Sequence, residues 1–444
     1  MEKLIVTGGI PLNGTVSVGG AKNVALKTFV AALLTDEPVV IHNVPLIRDV
    51  TYMMDVLKSL GATIEVSDHT VKIQDSTSVQ TTVPLEVGAR LRTSSMVIGP
   101  LLARHGEAKI PNPGGCRIGA RPIDRHIEGL KQMGATISYH SDDGYFYAKA
   151  QKLHGTTYRF PKNTHTGTET LLLAAVLADG ETVLENAAEE VEIDDLIALL
   201  TAMGATITKP NPSTIIIVEV NELHGAEYTI MPDRNEEVTF ALSAAITAGS
   251  ITVKNSRPAN IQSFLDAFVS VGGIVEEVDK QTTTYSGKGQ YRAADIITAP
   301  YPGFMTDWQA PWAVLMTQAS GLSSIHETVF ESRFSYVSEL AKMGAEIEFF
   351  DPPVDNPETF YNFNWSDHPP GYHQGIKIKG PTALHNAILE IDDLRAGATL
   401  VLAALAAKGE SYIHGVEHLD RGYENFEERL KNLGANIIRI KEEV

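Results

Sequence analysis

The sequence predicts an α/β protein of two domains, each assembled from three repeated helix-and-strand units of about 70 residues. Three observations predict it. The chain has 444 residues, more than one hydrophobic core usually serves, and its 43% hydrophobic content is enough to build two cores. A short marker, in which an apolar residue precedes Gly-Ala or Gly-Gly and a strand-like run follows, occurs six times. A second marker, an Ala/Leu-rich helix ending in a small turn and a strand, runs in phase with the first.

The copies of the first marker are Leu60-Gly61-Ala62, Met133-Gly134-Ala135, Met203-Gly204-Ala205, Val271-Gly272-Gly273, Met343-Gly344-Ala345 and Leu433-Gly434-Ala435. Their glycines lie 73, 70, 68, 72 and 90 residues apart. The second marker falls at Thr35-Asp36, Gly106, Gly180, Gly249, Gly321 and Gly409, each 23 to 28 residues earlier. Between the two lies a helical pattern such as Asp195-Leu196-Ile197-Ala198-Leu199-Leu200, and the glycine that ends it suits the left-handed position of a helix C-terminus. The period exceeds the 20 to 50 residues of solenoids and propellers, so each unit is expected to be a subdomain sharing a core with its neighbours. The fifth interval is long because Asp351 to Gly380 adds a Pro-, Asn- and aromatic-rich stretch, read as an inserted surface loop or lobe.

Charge and composition narrow the function classes. A formal net charge of -19 repels phosphate backbones and anionic lipid, which argues against nucleic-acid and membrane partners. No run reaches the roughly 18 apolar residues of a membrane span, and Met1-Glu2-Lys3-Leu4-Ile5-Val6 lacks the form of a secretion signal, so a cytoplasmic location is expected. One cysteine, Cys116, excludes an internal disulfide and a cysteine-rich zinc site.

Several segments have the residue types for chemistry. The strand pattern Thr15 to Val18 meets Gly19-Gly20 and then Lys22-Asn23 at the head of a helix, a geometry that favours an anion, although the spacing is not that of a Walker A loop. Cys116 sits in Pro113-Gly114-Gly115-Cys116-Arg117-Ile118-Gly119-Ala120-Arg121-Pro122-Ile123-Asp124; a reactive thiol and inert filler are both open readings there. Arg92, Asp307, Arg333, Arg395 and Arg421 are scattered, and nothing in their spacing shows that they converge. His414 and His418 lie four apart across a glycine in a strand-and-turn pattern, so no shared helix face for a metal is expected, and no G-x-S-x-G elbow is present.

Taken in order, Gly20-Ala21-Lys22-Asn23, the cysteine loop, Thr298-Ala299-Pro300 through Thr306-Asp307, Glu327-Thr328-Val329-Phe330-Glu331 with Arg333, Asp393-Leu394-Arg395 and Asp420-Arg421-Gly422-Tyr423 resemble the UDP-N-acetylglucosamine 1-carboxyvinyltransferase family of the EPSP synthase superfamily, nearly end to end. The resemblance implies a two-domain inside-out α/β barrel. Residues 22–231 would form the first domain, and residues 1–21 with 232–444 the second, carrying the insertion around 351–380. It implies transfer of the enolpyruvyl group of phosphoenolpyruvate to the 3-hydroxyl of UDP-N-acetylglucosamine, the first committed step of peptidoglycan synthesis, with roles in cell shape and division. It further implies no metal or cofactor, and alkylation of Cys116 by fosfomycin.

By the same resemblance, Lys22, Arg121, Arg395 and Arg421 would hold phosphoenolpyruvate, with Asn23 beside it. Cys116 would be the general acid and Asp307 the candidate base at the sugar hydroxyl, Lys22 and Arg395 also serving catalysis. The nucleotide sugar would meet Asn23, Arg92, Arg121, Pro122, Ile123, Asp124, Arg125, Asn163, Thr164, His165, Thr166, Asp307 and Val329. The chain departs from the family where leucine is common and Arg125 stands, where lysine and serine are common and Asn163 and His165 stand, and where Thr-Gly is replaced by Glu237-Val238. These changes leave two rival readings, an enolpyruvyl transferase with another acceptor and a catalytically silent nucleotide-sugar-binding paralogue.

Overall fold

A computed structural model describes residues 2–74, 80–114, 119–120 and 122–441. The chain forms two compact units. Among the described residues, the first comprises 20–74, 80–114 and 122–231, and the second 2–19, 119–120 and 232–441.

Six helices carry the cores, three in each unit: α1 (Lys22–Ala31), α2 (Ile98–His105), α3 (His165–Ala175), α4 (Arg234–Ile246), α5 (Thr306–Thr317) and α6 (Leu394–Ala406). Apart from α2, which ends in Arg104 and the exposed His105, these helices carry Ala, Leu, Val and Thr on most sides rather than along one stripe, so they have little surface suited to water. From Val24 onward every residue of α1 is buried, as is every residue of α3 from Gly167 and all of α4. The second helix of each repeat is amphipathic instead. In Arg48–Ser59 the buried positions are Asp49, Val50, Met53, Val56 and Leu57, one stripe at helical spacing.

The sheets repeat one plan. Thr157–Arg159 pairs parallel with Glu181–Glu185; that strand pairs antiparallel with Thr214–Val218, which pairs antiparallel with Thr206–Asn211. The crossover between the parallel strands is the buried helix, and the antiparallel hairpin follows the amphipathic one. Alternation places Leu184, Ile215 and Ile217 in the core. The same plan builds the sheets around Val39–His42, Ser250–Lys254, Ala319–His326 and Glu410–His414. Around Glu107–Pro111 the parallel partner is reduced to a bridge from Thr82 to Lys109. In the last sheet the hairpin's return strand is Glu2–Thr7, set between Glu410–His414 and Asn436–Lys441 and antiparallel to both.

All six marker glycines have positive φ, between 90° and 111°. Gly434 tests what that is worth, because no atom lies within 4 Å of where a Cβ would sit. Its replacement by alanine therefore meets backbone strain alone, and Gly434→Ala is expected to lower stability by about 1–2 kcal/mol in urea unfolding.

The insertion is shorter than the sequence indicates. Gly375–Gly380, inside the expected 351–380 stretch, is the return strand of its repeat, paired with Ala319–His326 and with Glu346–Phe350. Glycines at both ends and two lysines hide the short alternation that buries Ile376 and Ile378. The added segment is thus residues 351–374, packed around stacked rings of Tyr361, Trp365 and His368 at 4.9 and 4.5 Å. It docks on the end of the neighbouring strand: the Asn362 N–H donates to the Thr328 carbonyl at 2.8 Å, and Tyr361 Oη lies 3.1 Å from His326 Nε2.

Candidate active site

The candidate residues collect at the amino ends of the buried helices, where backbone N–H groups have no partner within the helix and the helix dipole is positive. Lys22 and Asn23 open α1; Arg92 opens the 3₁₀ turn Arg92–Val97 that leads into α2; His165 opens α3 after Thr164; Asp307 is second in α5; Arg395 is second in α6. Cys116 and Arg121 lie outside the described residues, as does the side chain of Arg395.

In the first unit the nucleotide-sugar candidates form a connected set. Arg92 donates to the carbonyl of Pro122 at 3.1 Å, and Arg125 to the carbonyl of Asn163 at 3.2 Å. Thr164 caps α3, its hydroxyl accepting from the Gly167 N–H at 3.2 Å. Thr166 Oγ1 lies 3.0 Å from Nε2 of His126, which follows Arg125 on the helix Asp124–Gln132. Ile123, ahead of that helix, is buried, whereas Pro122 and Asp124 are exposed. The structure therefore joins residues 92, 122–125 and 163–166, three stretches far apart in the chain. Nothing in their local spacing predicts it.

The buried His126 reports the electrostatics of this set. Burial first, then the guanidinium groups of Arg92 and Arg125, push its imidazole down to about 3. Between about pH 3 and the unfolded value near 6.5, the unfolded chain binds the proton that the folded chain refuses, so stability falls as pH drops through that window. His126→Gln removes the ionising group, and its urea midpoint is expected to decline less between pH 7 and pH 4 than that of the parent protein.

Lys22 is not free-standing. Its ammonium lies 3.0 Å from Oδ2 of Asp49, a carboxylate 2% exposed on the helix Arg48–Ser59. The sequence reading missed Asp49, whose only local sign is an acidic residue in a helix's first turn.

In the second unit, Asp307 receives a hydrogen bond from Arg333 Nη2 at 3.0 Å, and the same nitrogen donates to the carbonyl of Thr306 at 3.1 Å. Glu327, with no exposed surface, ties the next loop to the same helix end. It accepts from Thr306 Oγ1 at 2.9 Å and from the N–H groups of Val329 and Phe330 at 2.8 and 3.1 Å. Burial raises its carboxyl above the usual range, with Arg333 and these donors pulling the other way. The structure thus assembles Asp307, Arg333, Glu327 and Val329 into one group. Arg421 is in the turn after Val416–Leu419, where its neighbour Asp420 is held by Arg439. His414 ends a strand and His418 sits in that short helix across a left-handed Gly415. No cluster of three or more metal-ligating side chains occurs among the described residues.

The Glu237 departure turns out to be a packing feature. Its carboxylate is 1% exposed, accepting from Tyr285 Oη at 2.6 Å, from Ser256 Oγ and from the Arg257 N–H at 3.0 Å. Burial raises it above the usual range, and it offers no free anion to a ligand.

The family model of EPSP synthase (3-phosphoshikimate 1-carboxyvinyltransferase) matches residues 6–430. A protein of Acidobacterium capsulatum named UDP-N-acetylglucosamine 1-carboxyvinyltransferase is 43% identical over 444 residues, covering 99% of this chain and 96% of that protein. A Magnetococcus marinus protein of the same name is 43% identical over 443 residues, covering 99% and 100%. Among solved structures, the enolpyruvyl transferase NikO from Streptomyces tendae superposes with a TM-score of 0.84 at 24% identity, over 99% of this chain and 98% of that one. The EPSP synthase of Acinetobacter baumannii gives 0.71 at 18%, over 99% and 100%. These last two show a common fold.

Proposed function

The chain belongs to the EPSP synthase family, and from that premise we infer that it is a transferase moving the enolpyruvyl group of phosphoenolpyruvate to the 3-hydroxyl of UDP-N-acetylglucosamine, with release of phosphate. The observation that carries this reading is the full-length 43% identity to relatives named for that reaction. The grouping of candidate residues at helix amino ends supports it. Both substrates are anionic, and an acidic protein has to gather positive charge locally to hold them.

The residue assignments are our proposal. Lys22, Arg121, Arg395 and Arg421 take the phosphate and carboxylate of phosphoenolpyruvate. Asp307 orients the sugar hydroxyl and accepts its proton as the oxygen attacks C2, while Cys116 gives a proton to C3. The resulting ketal loses phosphate and a proton, which leaves the enol ether. The helix end and Arg333 stabilise an anion at Asp307, which suits it to fix the hydroxyl by hydrogen bonding. Residues 92, 122–125 and 163–166 take the nucleotide sugar. Arg125 reaches the carbonyl of Asn163, where the family commonly has lysine, so its guanidinium supplies charge at that loop by another route. The product would feed cell-wall synthesis in the cytoplasm, and no metal or cofactor is called for.

The test is phosphate release from phosphoenolpyruvate with UDP-N-acetylglucosamine as acceptor, the product identified by mass. Release with the enolpyruvyl adduct supports the reading. Release only with a different acceptor would reassign the nucleotide end, and no release with any acceptor would make the chain a silent paralogue.

A further inference from the structure

Beneath the nucleotide loop lie buried charges that the proposed chemistry does not use. Glu169, one turn beyond His165 on α3, has no exposed surface. Its Oε1 lies 3.1 Å from Nζ of Lys27, itself 2% exposed on α1, and 3.1 Å from Nε2 of His165. Taking a lysine and a glutamate out of water costs several kcal/mol per ion before their attraction is counted, and an apolar pair of the same volume would pack at least as well. A purely structural role is therefore a poor account of the arrangement.

The position of each partner suggests a better one. Lys27 is on the helix whose first two residues are Lys22 and Asn23, while His165 begins the helix behind the loop 163–166. One carboxylate oxygen lies within ion-pair distance of both, although neither contact has hydrogen-bond geometry. We propose that Glu169 is a positioning residue that anchors the His165 ring beside the diphosphate of the nucleotide sugar and, through Lys27, sets the start of α1 against the start of α3. The inference rests on the nucleotide-sugar reading above.

With Nε2 facing the Glu169 carboxylate, the protonated ring carries its other proton on Nδ1, which can donate to an anion. Burial disfavours this charged form, but the Glu169 carboxylate, helped by Glu190, outweighs burial and the opposing Lys27, so the imidazole is raised above its usual value. The charged groups acting on it are Glu169, Lys27 on α1 and Glu190 before the helix Val191–Ala202; the elements packed against α3 also carry Glu192, Arg92, Arg125 and the neutral His126. Of these, His165 is the imidazole whose charged form the surroundings favour.

The experiment measures the dissociation constant of UDP-N-acetylglucosamine by calorimetry from pH 5.5 to 8.5, with the His165 ring titrated by NMR in the free protein. In the parent protein, binding weakens as pH rises through the His165 titration. Glu169→Gln keeps the volume and removes the charge, which shifts both curves to lower pH and weakens binding at pH 7 by about three- to tenfold. Because that variant leaves Lys27 buried without its carboxylate, the pair Lys27→Met with Glu169→Gln serves as a second variant and shows a smaller shift in the same direction, since the opposing Lys27 charge is lost as well. His165→Asn abolishes the pH dependence. An unchanged ring titration in both Glu169 variants, or a pH dependence that survives His165→Asn, overturns the proposal, as does an absence of nucleotide-sugar binding at every pH. Binding without phosphate release leaves the proposal standing and removes only the transfer reaction.

Discussion

Asp307→Asn is expected to lower turnover by about 10²–10⁴-fold, the range typical of losing a positioned acid–base group, while leaving the Michaelis constant for phosphoenolpyruvate within a few-fold. The substitution is nearly isosteric, so it isolates charge. Asp307 stands at the amino end of α5, 3.0 Å from Arg333, whose guanidinium also holds the Thr306 carbonyl. Asparagine keeps an oxygen for that guanidinium but presents the sugar hydroxyl with a weaker acceptor. The fold should tolerate it, since the loss at a helix end is about 0.3–1 kcal/mol. Steady-state phosphate release, with a thermal melt as control, decides the matter. Turnover within about tenfold of the parent would remove Asp307 from the hydroxyl.

Lys22→Met is expected to do two kinds of damage, and a second substitution separates them. The ammonium pairs with Asp49 at 3.0 Å, and Asp49 is buried, so removing the lysine takes a cation from a buried carboxylate and costs up to about 3–5 kcal/mol of stability. Adding Asp49→Asn relieves that charge and should recover most of the urea midpoint. Turnover should not return. A preorganised charge aimed at the substrate is worth about 10²–10³-fold, and the double variant lacks it. A stable double variant with turnover near the parent level would show that Lys22 matters only to folding.

These pairs mark what the sequence does and does not make legible. The repeat is visible because its devices are local: a glycine forced to positive φ, and Ala/Leu-rich helices apolar on most sides. The starts of α1 and α5 are legible for the same reason, since a Gly-Gly turn before Lys22 and Thr306-Asp307 after a proline-rich turn are local signs. Lys22 with Asp49, Asp307 with Arg333, and Glu169 with Lys27 are separated by 27, 26 and 142 residues, and only the folded chain brings each pair together. Glu237 shows the converse error. Its departure from the family's Thr-Gly suggests altered ligand choice, yet the structure buries it under Tyr285 and Ser256. The insertion's limits failed for a third reason, because Gly375–Gly380 has too few apolar residues to announce a strand.

The path of the chain through the sheets carries a consequence for a nascent polypeptide leaving the ribosome. Glu2–Thr7 is made long before its partners, Glu410–His414 and Asn436–Lys441. Asn13–Ser17 likewise waits for Ser250–Lys254. Everything the first unit needs, by contrast, has been made once Glu227–Thr229 can pair with Val39–His42. At roughly 5–20 residues per second, the first unit can complete its core tens of seconds before the second has its final strand. During that interval Leu4 and Val6, fully buried in the finished protein, hang on an unpaired strand. Glu2–Thr7 is therefore exposed to misassociation during synthesis until those strands are made.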